Sequence, residues 1–454
     1  MTTEITKTPS PTHSGYLSDI DTATAKSSRI KRYCELLEEG PTAYHATQFA
    51  VYLLQKNGFT LHREDEKWNL RPGQKCVVTR ADKTFAAFVL PKETLDSFAL
   101  VGGHTDSPAL VPMSRPDKIE GKNHLLVTEV YGGPLLPTWV GKPLGLAGRV
   151  TYINENGEEI TKVINISEAV GNVVTLPPHL DRERVTTMKI NPAKDLDVFV
   201  KESSKKRSAF IEILRVALPD MKKKIKVDEI SHDLYFYPLQ KPTITLAGNV
   251  ISYRQDNLSG THAALEGILG NSEPESSRLK MIMSFHHEEI GSLSYEGACG
   301  NFFDSVIDRI TECYKMTVEE RHIMMAKSGH LSLDVAHAGA PGFSGDFQPQ
   351  HTPTITGGVV LKRNTIKYEY GNAHWLRQIA KSEVLPLQDF HVKQDHPCGS
   401  TIAKILAAKG VRTVDAGVPL FAMHSTDEQL NLEVQNHVCT ISEKFLSHDF
   451  TTLS

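Results

Sequence analysis

The residues best suited to chemistry lie in Phe285-His286-His287-Glu288-Glu289-Ile290-Gly291-Ser292. They follow Lys280–Phe285, an apolar run with the pattern of a buried strand. Adjacent carboxylates leaving a strand point to different sides, so one can bind a metal while the other takes and returns a proton. A second segment, Gly102-Gly103-His104-Thr105-Asp106-Ser107-Pro108, follows the strand-like run Phe98–Val101. His104 is a candidate metal ligand, and Asp106 is placed to hold the other imidazole nitrogen and fix its tautomer. Asp256, in Gln255-Asp256-Asn257, could supply a carboxylate bridging two ions, and Asp334 and His424 complete the set. Amide hydrolysis needs an activated water, a polarised carbonyl and a proton shuttle. Two metal ions about 3.5–4 Å apart supply the first two and a free carboxylate the third.

Taken singly, each segment also has a structural reading. A Glu-Glu pair can be a solvated turn, Asp-Asn an Asx turn, and a lone His in apolar surroundings a core residue. His330, His337, His351 and His374 compete with the chosen histidines on spacing alone. Histidine and carboxylate donors suit zinc, cobalt or manganese. No HExxH helix, GxSxG elbow or GxxxxGK[ST] loop is present as an alternative apparatus.

Positioning these groups calls for an α/β layered fold. Phe98–Val101, Lys280–Phe285, Leu331–Leu333 and Val411–Val414, continuing through Pro419–Met423, are β-like runs that each lead to a candidate ligand. Strand C-termini are where open α/β sheets build sites. Ser27–Glu39, Thr42–Lys56, His262–Leu269 and Trp375–Ser382 read as helices, and Lys75–Thr79 and Phe85–Leu90 as strands. Between residues 111 and 245 the chain is dense in β-branched and turn residues. Leu125–Val130, Gly148–Ile153, Lys162–Ile166 and Val173–Leu176 read there as strands, and the basic stretch Lys201–Lys226 as helical. The expected organisation is a flexible tail over 1–25, a discontinuous domain of 26–110 and 246–454 with a central mixed sheet flanked by helices, and an inserted β-rich domain over 111–245.

At 454 residues, two domains are the expectation. Fifty basic against 54 acidic residues leave a net charge of −4, too weak a field to imply nucleic acid or an anionic membrane as partner. Six scattered cysteines without a CxxC pair read as reduced thiols, and the Thr/Ser/Pro-rich start lacks the apolar core of a secretory signal; the cytoplasm is the expected compartment.

The combination of segments resembles the aspartyl aminopeptidase and aminopeptidase I family of co-catalytic zinc metallopeptidases, from about Pro41 to about Glu428. GPTAYH (40–45), GGHTDSP (102–108), LAGRV (146–150), QDN (255–257), HEEIGS (287–292), SLDVAHA (332–338), DHPCGSTI (395–402) and AMHS (422–425) occur in the family's order. The resemblance implies two zinc ions per subunit, with cobalt or manganese as substitutes. His104, Asp256, Glu289, Asp334 and His424 would be the ligands, and Asp256 the bridge. It makes Glu288 the general base and proton shuttle, and Asp106 the support of His104. Lys362 in GGVVLKRN would face the substrate, and His179 in LPPHLDR would reach a neighbouring protomer's active site. It further implies peptide substrates with a free N-terminus, a metallopeptidase domain paired with a dimerisation domain, and assembly as a tetrahedral dodecamer.

Three positions depart from the family pattern. Its Arg-Leu-Asp-Asn is here Arg254-Gln255-Asp256-Asn257, its Trp-Phe-Asp-Arg-Asp-Leu is Trp139-Val140-Gly141-Lys142-Pro143-Leu144, and its His-Ser-x-Arg-Glu is His424-Ser425-Thr426-Asp427-Glu428. The ligand set survives all three, and substrate choice is what they affect. The expected activity is release of N-terminal residues with acidic side chains, Asp or Glu. An aminopeptidase preferring neutral residues such as Leu stands as the alternative, because Asp427 opposes the binding of an acidic side chain, and a deacylase of the same two-metal type is the other.

Overall fold

The computed structural model describes residues 28–450 apart from 206, 364–371, 397, 398 and 400. The expected tail, Lys206, and part of the DHPCGSTI segment lie outside the described residues. The described residues fall into two units, one of residues 35–108 and 242–450, the other of 109–241 with 28–34.

The chain opens with helices α1 (Ser28–Glu39) and α2 (Ala43–Lys56), the second stopped before Gly58, whose φ of 87° suits glycine. Strands β1 (Thr60–His62), β2 (Lys75–Arg80), β3 (Thr84–Val89) and β4 (Ser97–His104) follow. All eight residues of β4 are buried, as expected for a central strand covered on both faces.

The second unit contains β5 (Ala109–Glu120), β6 (Asn123–Tyr131), β7 (Leu144–Ile153), β8 (Glu159–Val173), β9 (Val198–Glu202), helix α3 (Ala209–Ala217) and β10 (Ser231–Pro238). Its six strands close into a barrel in the order β10-β5-β6-β9-β8-β7, with Leu146, Val150, Ile166, Val198 and Phe236 among its buried residues. Two expectations need correction here. Lys162–Ile166 and Val173–Leu176 are not separate strands, because β8 runs unbroken to Val173 and absorbs the turn-like residues as a register shift against β7, while 174–176 belong to no strand. The basic stretch 201–226 is helical only in α3. Leu218 precedes Pro219, which disfavours helical backbone, and Lys222, Lys223 and Lys224 lie beyond that stop.

The chain then returns through β11 (Thr243–Ile244), β12 (Asn249–Ser252), α4 (Gln255–Gly270), β13 (Arg278–Phe285), α5 (Phe302–Cys313), α6 (Val318–Ala326), β14 (Gly329–Leu333) and β15 (Ala336–His337). It finishes with β16 (Val359–Lys362), α7 (Ala373–Ser382), β17 (Leu387–Phe390), α8 (Ile402–Ala408), β18 (Arg412–Gly417), β19 (Pro419–Phe421), β20 (Glu428–Asn431) and α9 (Leu432–Phe445). A nine-stranded mixed sheet runs β1-β2-β3-β13-β4-β14-β18-β16-β17, and a five-stranded sheet runs β11-β12-β20-β19-β15. Val78, Phe88, Leu100, Met283 and Phe285 pack with Phe302, Phe303, Ile307 and Leu406 in one apolar cluster that makes the large sheet rigid.

Candidate metal centre

Two sheets, rather than one, deliver the candidate ligands. His104 ends β4, Glu288 and Glu289 follow β13, and Asp334 follows β14, all in the nine-stranded sheet. Asp256 follows β12, and His424 lies between β19 and β20, in the five-stranded sheet. The sequence reading ran Val411 through His424 as one approach. Instead β18 ends at Gly417 in the large sheet, and β19 carries the chain into the small one.

The turns that present these groups use unusual backbone. Arg254, His287, Ala422 and His424 have φ of 68°, 61°, 54° and 66°, the left-handed region that non-glycine residues enter at a cost. Asp256 and Asn257 are formally inside α4 but have non-helical dihedrals, so the regular helix begins at Leu258.

The side chains converge on Asp256. Its Oδ1 lies 3.4 Å from His104 Nε2 and its Oδ2 lies 3.4 Å from His424 Nε2. Asp334 Oδ1 is 3.5 Å from His104 Nε2, and Glu289 Oε2 is 3.5 Å from His424 Nε2. Two triads result, His104–Asp256–Asp334 and Asp256–Glu289–His424, and the donor atoms within each lie within 4.8 Å of one another. Glu288 stands beside them, its Oε2 3.9 Å from His104 Nε2. His330, His337, His351 and His374 belong to neither group among the described residues. His330 is buried against the Thr413 hydroxyl, 3.2 Å away.

Asp106 is placed differently from a simple imidazole partner. The nearest acceptor to His104 Nδ1 is the Asp106 backbone carbonyl at 3.1 Å, with the carboxylate oxygen Oδ1 at 3.5 Å. The two carboxylate oxygens accept the backbone N–H groups of Glu288 and Glu289 at 3.2 and 3.1 Å. Around this clamp Thr105 donates to the Lys83 carbonyl, Thr84 Oγ1 accepts the His286 N–H, and Lys83 pairs with Glu296.

Other expected residues fall as follows. Lys362 is buried, with Nζ 3.2 Å from Asp334 Oδ2 and 3.7 Å from Asp415 Oδ1. Gln255, where the family pattern has Leu, buries its amide and donates to the Glu428 carbonyl at 2.5 Å. Asp427 accepts from the Thr426 hydroxyl at 2.7 Å. His179 is exposed between β8 and β9. Sequence reasoning passed over Glu428, whose carboxylate binds two ligand segments. A Glu in an alternating β run next to a candidate ligand was the available signal.

The electrostatics call for cations. Burial, with Asp334, Asp106 and Asp256 nearby, pushes the Glu288 carboxyl up to about 8 despite His104. Burial and Asp256 hold Glu289 well above the ordinary carboxylate range. Burial alone would lower His104, but Asp106, Asp256 and Asp334 outweigh it and raise the imidazole well above its usual value. Among the described residues, Asp256 Oδ1 and Glu289 Oε1 are buried and accept no hydrogen bond, an expensive state for carboxylate oxygens. The donors are imidazole nitrogen and carboxylate oxygen, which fits zinc.

Residues 36–445 match the aminopeptidase I zinc metalloprotease (M18) family, and the chain belongs to that family of zinc metalloaminopeptidases. A probable M18 family aminopeptidase 2 of Clostridium novyi is 30% identical over 437 residues, covering 92% of this chain and 99% of that protein. A chain of the Ape4 and Nbr1 complex superposes with a TM-score of 0.86 at 28% identity, covering 92% of this chain and 85% of that one. The Saccharomyces cerevisiae mApe1 dodecamer gives 0.79 at 22%, covering 92% and 96%.

Proposed function

We propose that this chain removes single residues from the free N-terminus of peptides, with His104, Asp256 and Asp334 holding one divalent ion and Asp256, Glu289 and His424 a second. The observation that carries this reading is Asp256, which turns one carboxylate oxygen to each histidine at 3.4 Å and leaves Glu288 outside both triads. When bound, the ions, zinc by preference with cobalt or manganese as substitutes, supply Lewis acidity for the scissile carbonyl and the attacking water.

The chain's own residues do the rest. Glu288 accepts the water proton on its carboxylate and returns it to the leaving amine nitrogen. Asp106, gripping the N–H groups of Glu288 and Glu289, keeps the shuttle and its neighbouring ligand in fixed register.

The residue released is expected to be acidic, Asp or Glu, read by Lys362. A second reading, release of neutral residues such as Leu, is supported by the commitment of Lys362 to two carboxylates, which leaves its charge largely spent. The chain is also proposed to assemble as a homo-oligomer, a tetrahedral dodecamer of dimers formed through the inserted 109–241 unit, with His179 reaching the neighbouring protomer and the cytoplasm as the compartment. The mApe1 dodecamer supports this assembly, and no described helix is long and apolar enough to cross a membrane.

The experiment is a panel of Asp-, Glu- and Leu-anilides, short peptides and N-acetylated controls with the zinc-loaded protein. Cleavage confined to free amines supports the aminopeptidase, and the ranking of Asp against Leu decides the side chain. Cleavage of the acetylated substrates alone would replace the reading with a deacylase.

A further inference from the structure

We propose that Glu428 is a positioning residue for the ion held by Asp256, Glu289 and His424, an inference that rests on the metal assignment above. Glu428 is 1% exposed at the start of β20, where it pairs with Ser252 of β12. Its two carboxylate oxygens are divided between two ligand segments. Oε2 accepts the Asp256 N–H at 3.0 Å, and Oε1 accepts the His424 N–H at 2.7 Å. The backbone of Glu428 is itself held, because the Gln255 amide donates to its carbonyl.

The arrangement matters because both ligand turns are strained. Arg254, two residues before Asp256, and His424 itself have left-handed backbone, which persists only where surrounding bonds over-determine it. The His424 side chain is 31% exposed against 6% for Asp256, so the His424 turn has less packing to hold it. A carboxylate withdrawn from water is retained when charge-assisted hydrogen bonds compensate, and two backbone donors supply them here. Asp106 performs the same operation on the opposite pair, Glu288 and Glu289. Each of these buried acids therefore fixes two chemically active residues through the backbone.

The test is zinc titration of the full chain against a chromophoric chelator, with sedimentation and the melting temperature of the ion-free protein measured in parallel. The wild type is expected to take two ions per subunit. Glu428→Gln turns an amide N–H toward a backbone N–H and should weaken one ion about 10–100-fold, leaving the other within a few-fold. Glu428→Asp, which restores the acid with a shorter reach, should recover part of the loss. If Glu428→Gln does not fold, Gln255→Leu, which frees the Glu428 backbone and keeps the acid, should weaken the same ion by a smaller factor. Two wild-type affinities in folded Glu428→Gln, or in Gln255→Leu where that variant stands in, would overturn the inference. So would equal weakening of both ions alongside a lower ion-free melting temperature. A wild type that takes no zinc would overturn the metal assignment itself.

Discussion

Asp334 divides its carboxylate between two partners: Oδ1 faces His104 at 3.5 Å, and Oδ2 faces the Lys362 ammonium at 3.2 Å. Burial would lower the Lys362 pKa, but Asp334 and Asp415 raise it above the usual lysine range, so the amine stays charged and fixed. In Lys362→Met, the acidic reading expects zinc retention to hold and the Asp-to-Leu ratio of kcat/KM to fall. Zinc retention weakened about tenfold, with kcat lowered for acidic and neutral substrates alike, would instead make the lysine a tether of Asp334 and favour the neutral reading.

Glu288 stands beside the triads, its Oε2 3.9 Å from His104 Nε2, and belongs to neither. Glu288→Gln keeps the shape and removes the proton acceptor, so kcat should fall at least about 100-fold while both ions remain bound. Activity within a few-fold of wild type, at unchanged zinc content, would exclude Glu288 as the shuttle.

Gly417 ends β18 against the loop that carries Asp334, and an added methyl would overlap the Asp334 backbone carbonyl. Because the obstacle is backbone rather than a flexible side chain, Gly417→Ala should cost about 1–3 kcal/mol. Chemical denaturation reads that loss, and zinc titration should show the His104–Asp256–Asp334 ion weakened with it. A stability equal to wild type would mean the strand end shifts freely.

His330 is fully buried in β14, and burial pushes its pKa down to about 3 from an ordinary value near 6.5. Between those values the unfolded chain binds the proton and the folded chain does not, so stability is complete above about 6.5 and falls as the pH drops toward 3. Melting curves of the ion-free protein, in which acid release of metal plays no part, should show this fall. In His330→Met the fall should be shallower. Parallel wild-type and variant curves would rule out the contribution.

Strands and helices with strong periodicity were legible in the sequence. Lys280–Phe285 lies within β13, Phe98–Val101 within β4, and Thr42–Lys56 corresponds to α2 to within a residue. Ligand-type side chains following apolar runs marked the candidates, but spacing left His330, His337, His351 and His374 open, and the ligand set was what the family resemblance implies. Three features were not legible, each for a physical reason. A strand that bends by register shift, as β8 does, looks like two strands separated by turn residues. The passage from β18 to β19 changes sheets within a few residues, and hydrophobicity carries no information on which sheet an apolar run joins. Glu428 and Gln255 are polar residues in alternating or polar stretches, and the bonds that join their two segments span more than 170 positions.

The two triads also set an order of events during synthesis. His104 and His424 stand 320 positions apart in the sequence. Chain closure over such a span comes late, because local elements form before distant segments meet. A nascent chain truncated anywhere before residue 424 lacks one complete triad, however well its earlier strands have formed. The centre therefore cannot act as a template for early folding. It is completed only when segments 320 positions apart have met, and its occupancy would report that closure.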